Sequence, residues 1–248
     1  MPLDVLTFEE TLSIIHKAII EKSKIRHVAL NVAKLIKAKK DPVLWRDIVS
    51  SDIIGVDGMG IVLAAKLLGI RIPERIAGVD LMEKLLLLCA QERFKPYFLG
   101  ARQDVVERAV YNARMRWPTL EFAGYRNGYF HSIEELTIVE QINLSYADCL
   151  FIGLPTPKKE RFLSEHFESL NVNFVMGVGG SLDVLAGLVR RAPPLIQNYG
   201  FEWLYRIYQE PNRMWWRYTT TNTVFLSLIA KALVRKQLTV ARKFIFNG

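Results

Sequence analysis

The chain has 248 residues, of which 50% are hydrophobic and 23% charged, a composition that folds and excludes an intrinsically disordered protein. No run approaches the roughly 18 apolar residues of a membrane-crossing helix, and no basic-then-apolar leader opens the chain, so a cytoplasmic or peripheral protein is expected. The formal charge of +8 calls for an anionic partner and is concentrated near the end, where residues 196–248 carry eight basic side chains against Glu202 and Glu210.

Short β-rich runs alternate with amphipathic stretches. The patterns predict strands over 27–32, 53–56, 97–99, 121–124, 149–152 and 173–178, with helices over 42–50, 59–68, 81–91, 104–116, 132–144 and 157–169. Such alternation predicts an α/β fold, a Rossmann-like and largely parallel sheet with helices on both faces. Sheets of this kind bind ligands in loops at the carboxyl ends of their strands. Cys89 and Cys149 both sit in apolar runs and read as buried free thiols. Near Arg190 the alternation stops. Pro193 and Pro194 break it, and a tail rich in Trp, Tyr and Arg reads as two or three helices. The expected organisation is an α/β domain over 1–195 and a basic, aromatic helical appendage over 196–248.

Four segments carry chemistry. Gly55-Val56-Asp57-Gly58-Met59-Gly60 follows a strand and precedes a helix, so its glycines permit tight turning and close approach to a ligand. The spacing is not that of a dinucleotide fingerprint. Asp57 reads either as a helix N-cap or as a general base at the mouth of the sheet. Gly153-Leu154-Pro155-Thr156-Pro157-Lys158-Lys159-Glu160 is a proline-stiffened loop whose lysines either meet a phosphate or begin a solvated helix. Gly177-Val178-Gly179-Gly180-Ser181-Leu182-Asp183 reads either as a strand-to-helix turn capped by Ser181 or as an N–H nest for a diphosphate, with Asp183 placed to accept from a sugar hydroxyl.

The fourth segment, Glu202 to Tyr218, interleaves aromatics with arginines. Single-stranded nucleic-acid binders do this too, but so do membrane-interface segments, and the apolar stretch over 223–234 with Lys231, Arg235 and Lys236 around its end resembles an interfacial helix. Missing from the chain are an Asp-x-Asp metal pair, a Walker loop, zinc-type Cys/His spacing and a Gly-x-Ser-x-Gly elbow.

Taken in order, the segments VDGMGIVLAAKLLG, PERIAGVDLMEKLL, YFLGAR, NGYF, GLPTPKKE, GVGGSLDVLAG, VRRAP and GFEWLYRIYQEPNRMWWRY resemble the WecG/TagA/CpsF family of bacterial glycosyltransferases, over about residues 26–218. The resemblance implies metal-independent, inverting transfer of a hexose-type sugar (N-acetylmannosamine, its uronic acid or glucose) from UDP to a polyprenyl-diphosphate-linked acceptor, with no cofactor. It places the catalytic base on Asp57 and a catalytic arginine on Arg75. Donor and phosphate contacts fall on Asn31, Lys159, Gly177, Gly179, Gly180, Asp183, Arg206 and Arg213. Membrane contact falls on Trp215, Trp216, Arg217, Lys231, Arg235 and Lys236. The implied partners are a UDP-sugar, a lipid-linked acceptor and the anionic cytoplasmic face of the inner membrane, not nucleic acid, with self-association of the aromatic tail left open off the membrane. Two departures stand out. The family's Thr-x-Asn is here Ala29-Leu30-Asn31, and its Pro-Lys-Gln-Glu is Pro157-Lys158-Lys159-Glu160, which suggests either a more anionic substrate or a degenerate member that only binds nucleotide-sugar or membrane.

Overall fold

The computed structural model describes residues 1–246, apart from the side chains of Asn198, Arg213, Met214, Arg217 and residues 236–246. Of the expected site residues, Arg213, Arg217 and Lys236 have side chains outside this description.

Six parallel strands form one sheet: β1 (Ile25–Leu30), β2 (Ile53–Val56), β3 (Pro96–Gly100), β4 (Gly124–Arg126), β5 (Cys149–Gly153) and β6 (Phe174–Gly177). Their spatial order is β2-β1-β6-β5-β3-β4. The helices in chain order are α1 (Phe8–Ile20), α2 (Val32–Lys40), α3 (Pro42–Val49), α4 (Met59–Leu67), α5 (Gly78–Glu92) and α6 (Gln103–Arg116). They continue with α7 (Glu135–Leu144), α8 (Lys158–His166), α9 (Ser181–Leu185), α10 (Pro194–Asn198), α11 (Glu202–Gln209) and α12 (Pro211–Phe246). The expected α/β fold is present.

The two-residue period of the strands divides the interior into two layers. Phe98, Cys149, Phe151, Phe174 and Met176 point to the side covered by α1, α5, α6 and α9. Leu99, Leu150, Ile152 and Val175 meet α7 and α8 on the other side, where Val28, Leu30 and Ile54 meet α2 and α3. Both faces of these strands are therefore apolar, which is why they read as unbroken hydrophobic runs. Cys89 and Cys149 are buried free thiols with sulfurs 3.8 Å apart.

Three differences from the sequence reading have local causes. β1 ends at Leu30 because Asn31 turns the chain into α2, its Oδ1 accepting from the Lys34 N–H at 3.0 Å. The fourth strand forms at Gly124–Arg126, later than expected, where Tyr97 to Leu99 of β3 supply its partners. Helices α1 and α2 were not anticipated, although the Thr7–Glu10 capping box announces the first and the Asn31 cap the second.

The tail is three helices, and the 195/196 boundary falls inside α10. Phe225 of α12 is buried in a cluster with Ile36 of α2, Val56 of β2 and Ile61 and Ala64 of α4, so the tail is seated on the sheet domain. No helix among the described residues is long and apolar enough to cross a membrane.

His27 on β1 is 1% exposed, and neither ring nitrogen has a hydrogen-bond partner among the described residues. Burial, and then the charge on Lys34, lower its pKa from 6.5 to about 3. The folded state thus holds His27 neutral where the unfolded chain takes up a proton. The sign is that stability is complete above pH 6.5 and is lost as pH falls toward 3. Chemical denaturation between pH 7 and 5 should show a loss of about 2 kcal/mol, which His27→Leu flattens. An unchanged slope in that variant would show that His27 already protonates in the native state.

Candidate active site

The first cavity opens where β1 and β2 end. The register pairs Leu30 with Val56, so the next residues, Asn31 and Asp57, emerge side by side, and the Asp57 N–H donates to the Leu30 carbonyl at 3.0 Å. The Asp57 carboxylate does not cap α4, whose N-cap is Gly58 with no side-chain bond. Instead its Oδ1 accepts from the Gly78 N–H at 3.0 Å, at the first turn of α5, which has no side-chain cap of its own. The start of a 15-residue helix thus fixes the orientation of the aspartate's carboxylate.

The glycines around Asp57 serve packing. A Cβ at Gly60 would lie 2.7 Å from Val32 Cγ2, and one at Gly58 would lie 3.3 Å from Asn31 Cβ, so α4 can approach α2 only without side chains there. Gly200, at φ +77°, brings the turn before α11 onto Met59. The motif's glycines thus admit the protein's own helices, and Gly58 and Gly60 also face the cavity.

Asn31, Asp57, Arg75 and Arg206 line this cavity of about 400 Å³. Glu202, Trp203 and Tyr218, to which the sequence assigned no role, complete its polar and aromatic wall. Leu63, Leu67, Phe225, Leu226 and Ile229 make the rest apolar. Glu202 Oε2 lies 3.1 Å from Arg75 Nη1 and its Oε1 lies 3.3 Å from Arg206 Nη2. Burial opposes the charge on Arg206, but Glu202, Tyr218 and Asp57 outweigh it and raise its pKa.

A second cavity, of about 470 Å³, lies at the ends of β3 and β5. It is lined by Ala101, Gly128, Tyr129, His131, Leu154, Pro155 and Lys158 among others. Lys158 Nζ donates to the Phe130 carbonyl at 2.8 Å and sits 3.7 Å from the Phe130 ring centroid. Between the two cavities β6 ends in the glycine turn. Gly179 takes φ +53° and faces open space, as a nest residue would, whereas a Cβ at Gly177 would lie 2.6 Å from Lys159 Cε. Gly180 is the N-cap of α9 and makes no side-chain cap bond, while Ser181 Oγ donates back to the Val178 carbonyl at 2.8 Å. Asp183 follows in the first turn of α9.

Lys159 lies elsewhere. Its ammonium is 3.0 Å from Glu160 Oε1 and 3.0 Å from Thr156 Oγ1, and Lys34 approaches the same carboxylate oxygen at 3.2 Å. All three charged side chains are buried, and Lys159 lines neither large cavity. Burial, then Lys159, depress the Lys34 pKa to about 8 against the opposing pull of Glu160. The extra cation is thus held by a carboxylate inside the protein. Ala29, at the other departure, is buried beneath the start of α5.

The model of the WecG/TagA/CpsF glycosyl transferase family matches residues 1–239, across the sheet, both cavities and most of the tail. The chain belongs to this family. One relative is the N-acetylglucosaminyldiphosphoundecaprenol N-acetyl-beta-D-mannosaminyltransferase of Staphylococcus aureus strain MW2, 35% identical over 179 residues that cover 72% of this chain and 69% of that protein. A protein of the same name from Bacillus spizizenii is 31% identical over 195 residues, 79% of this chain and 74% of that one. In the namesake of S. aureus strain NCTC 8325 the match is 37% over 153 residues and spans 59% of that protein. This WecG/TagA/CpsF member is therefore an enzyme that transfers a sugar.

If the glycine at position 60 sets the α2–α4 spacing, Gly60→Ala should destabilise by about 1–3 kcal/mol and lower turnover, because Val32 must move. Pairing it with Val32→Ala should restore most of the loss in denaturant melts, and no recovery would refute the steric account.

Proposed function

We propose that this enzyme moves a hexose-type sugar, N-acetylmannosamine, its uronic acid or glucose, from UDP to a sugar carried on a polyprenyl diphosphate, with inversion and without a resident metal. The observation that carries the reading is the first cavity. It brings Asp57, the Glu202-paired Arg75 and Arg206, and the apolar side chains of Leu63, Leu67, Leu226 and Ile229 into one lining. A lipid-linked diphosphate is a ligand with that same combination of chemistries, and the relatives' names specify an acceptor of this kind.

Inverting transfer needs one base. The acceptor hydroxyl loses its proton to Asp57 Oδ2 while its oxygen attacks the anomeric carbon, and the bond from that carbon to the UDP oxygen breaks. The Gly78 N–H holds Oδ1, which orients the carboxylate. The departing diphosphate gains negative charge, met by the backbone turn at Gly177, Gly179 and Gly180, while the guanidinium groups of the first cavity face the acceptor's diphosphate. In this reading the nucleotide lies across the carboxyl ends of β6, β5 and β3, with Asp183 toward its sugar and Lys158 beside its cavity. Lys159 supports that turn from beneath, since its stem crosses Gly177. The His/Cys/Asp/Glu group found close enough to hold a metal among the described residues is Glu135, Glu165 and His166, none of which lines either cavity.

The tail supports docking at the cytoplasmic face of the inner membrane. Trp215 and Trp216 are 58% and 72% exposed, and Lys231 and Arg235 of the same helix are exposed as well. Indole rings at the headgroup level and cations toward anionic lipid are the arrangement such a surface rewards. Off the membrane the same rings can pair two chains.

Titrating UDP and UDP-sugars into the full chain while following melting should raise Tm by mass action. The best donor should then turn over with a polyprenyl-diphosphate-linked N-acetylglucosamine. Asp57→Asn should keep the UDP shift and lose about 10²–10⁴ in rate. Binding without turnover in the wild type would instead identify a degenerate, binding-only member, and no shift with any uridine nucleotide would remove the donor assignment.

Replacing Trp215 and Trp216 together by Ala should weaken flotation with anionic vesicles at least about tenfold while leaving the UDP shift intact. Undiminished flotation would count against the tail as the docking surface.

A further inference from the structure

The first cavity contains a second carboxylate. Glu202 stands in the first turn of α11, and its two oxygens are divided between two guanidinium groups from different parts of the chain. Arg75 comes from the loop that leads into α5, and Arg206 lies one helical turn along α11 itself. The Glu202 and Arg75 side chains are 13% and 14% exposed, so this ion pair is sheltered from solvent and from its screening. On the other side, Gly200 seats the same turn of chain on Met59 of α4. The contact between α11 and the sheet domain thus has a polar bolt and an apolar one, and both lie on the cavity.

We propose that Glu202 is a positioning residue: by bridging Arg75 and Arg206 it holds both guanidinium groups at the cavity and fixes α11 over it. Each guanidinium carries five N–H donors and spends few of them on one carboxylate oxygen, so donors remain for phosphate oxygens. Counting Glu202 and Asp57, the two arginines leave these four groups without excess charge, so the anchor for a diphosphate is the guanidinium donors that Glu202 leaves unused. Without Glu202, Arg75 becomes a sheltered cation with its partner removed, a costly state that it escapes by turning toward solvent. Glu202 does not compete with Asp57 for the base role, because its oxygens are already committed to the two guanidinium groups, whereas Asp57 has Oδ2 left for a proton. The phosphate-binding part of this inference rests on the proposed function; the docking of α11 does not.

The test compares wild type, Glu202→Gln and Glu202→Asp as full chains, with two readouts. Steady-state kinetics are taken with a UDP-sugar and a polyprenyl-diphosphate-linked acceptor, and amide hydrogen exchange is followed over 194–209 and over the strands. Glu202→Gln keeps the shape and removes the charge. It should raise the acceptor KM about tenfold or more, lower kcat, and speed exchange in 194–209 with strand protection unchanged. Glu202→Asp, which keeps the charge, should recover part of both effects, a rescue that a mere packing role would not produce. Kinetics within twofold of wild type together with unchanged exchange would overturn the inference. So would a tighter acceptor KM in Glu202→Gln, since that would make Glu202 a stand-in for the phosphate that ligand must displace. Should wild type transfer no sugar, faster exchange in Glu202→Gln would still establish the docking role while the transferase reading fell, and unchanged exchange would overturn the docking role as well.

Discussion

A parallel sheet must be re-entered from the same end after every strand, and this constraint arranges the rest of the molecule. Each strand delivers its following loop to one edge, so Asn31, Asp57, Ala101, Gly128, Leu154 and the glycine turn after β6 gather there although Asn31 and Gly177 are 146 residues apart. Which face the next helix covers then decides where that edge is open. β1 sends the chain to α2 on one face, while β2 sends it through α4 to α5 on the other. β5 and β3 diverge in the same way toward α8 and α6. The two cavities sit at these divergences, as expected where neighbouring connections part.

Close packing sets the tolerances of the first cavity. Gly58 and Gly60 let α4 lie against α2, and Phe225 of α12 fills the space above Ile36, Val56 and Ile61. Helices α11 and α12 therefore form one wall of the first cavity. Below the edge, Lys34, Glu160 and Lys159 tie α2 to α8 with buried charge. A buried ion pair of this sort adds little net stability, because desolvation offsets the Coulomb attraction, but breaking it would strand a charge. Its location explains why a lysine is tolerated after Lys158: Glu160 already stands next to it, and Gly177 leaves room for its stem.

The electrostatics of the first cavity are a balance. Two carboxylates face two guanidinium groups, but the partners are not interchangeable. Asp57 is held by a backbone N–H at a helix start, and Glu202 by the arginines. Neutral helix-end dipoles fix one acid while leaving the cations available to the other and to a ligand. This division lets the proposed base and the proposed anion-binding pair share one small space.

The sequence by itself determined the α/β class, the strand runs and the loops that carry Asp57 and the glycine turn, because apolar periodicity and Gly/Pro punctuation are local signals. It also singled out Asn31, Arg75 and Arg206, through ordered motifs spread over most of the chain, and the fold brings all three to the lining of the first cavity. What it left undecided depends on distance in space. Whether Lys159 faces a ligand or a buried glutamate follows from where α2 brings Lys34. Whether Asp57 caps α4 or α5 depends on the approach of Gly78, 21 residues later. The role of Glu202 is invisible in its own segment, since its partner Arg75 is 127 residues away. The strand order, which alone makes Leu30 and Val56 neighbours and opens the sheet edge at two places, was likewise fixed by tertiary packing. Local pattern sets how each element forms, while the pairing of charges and the meeting of faces are properties of the folded whole.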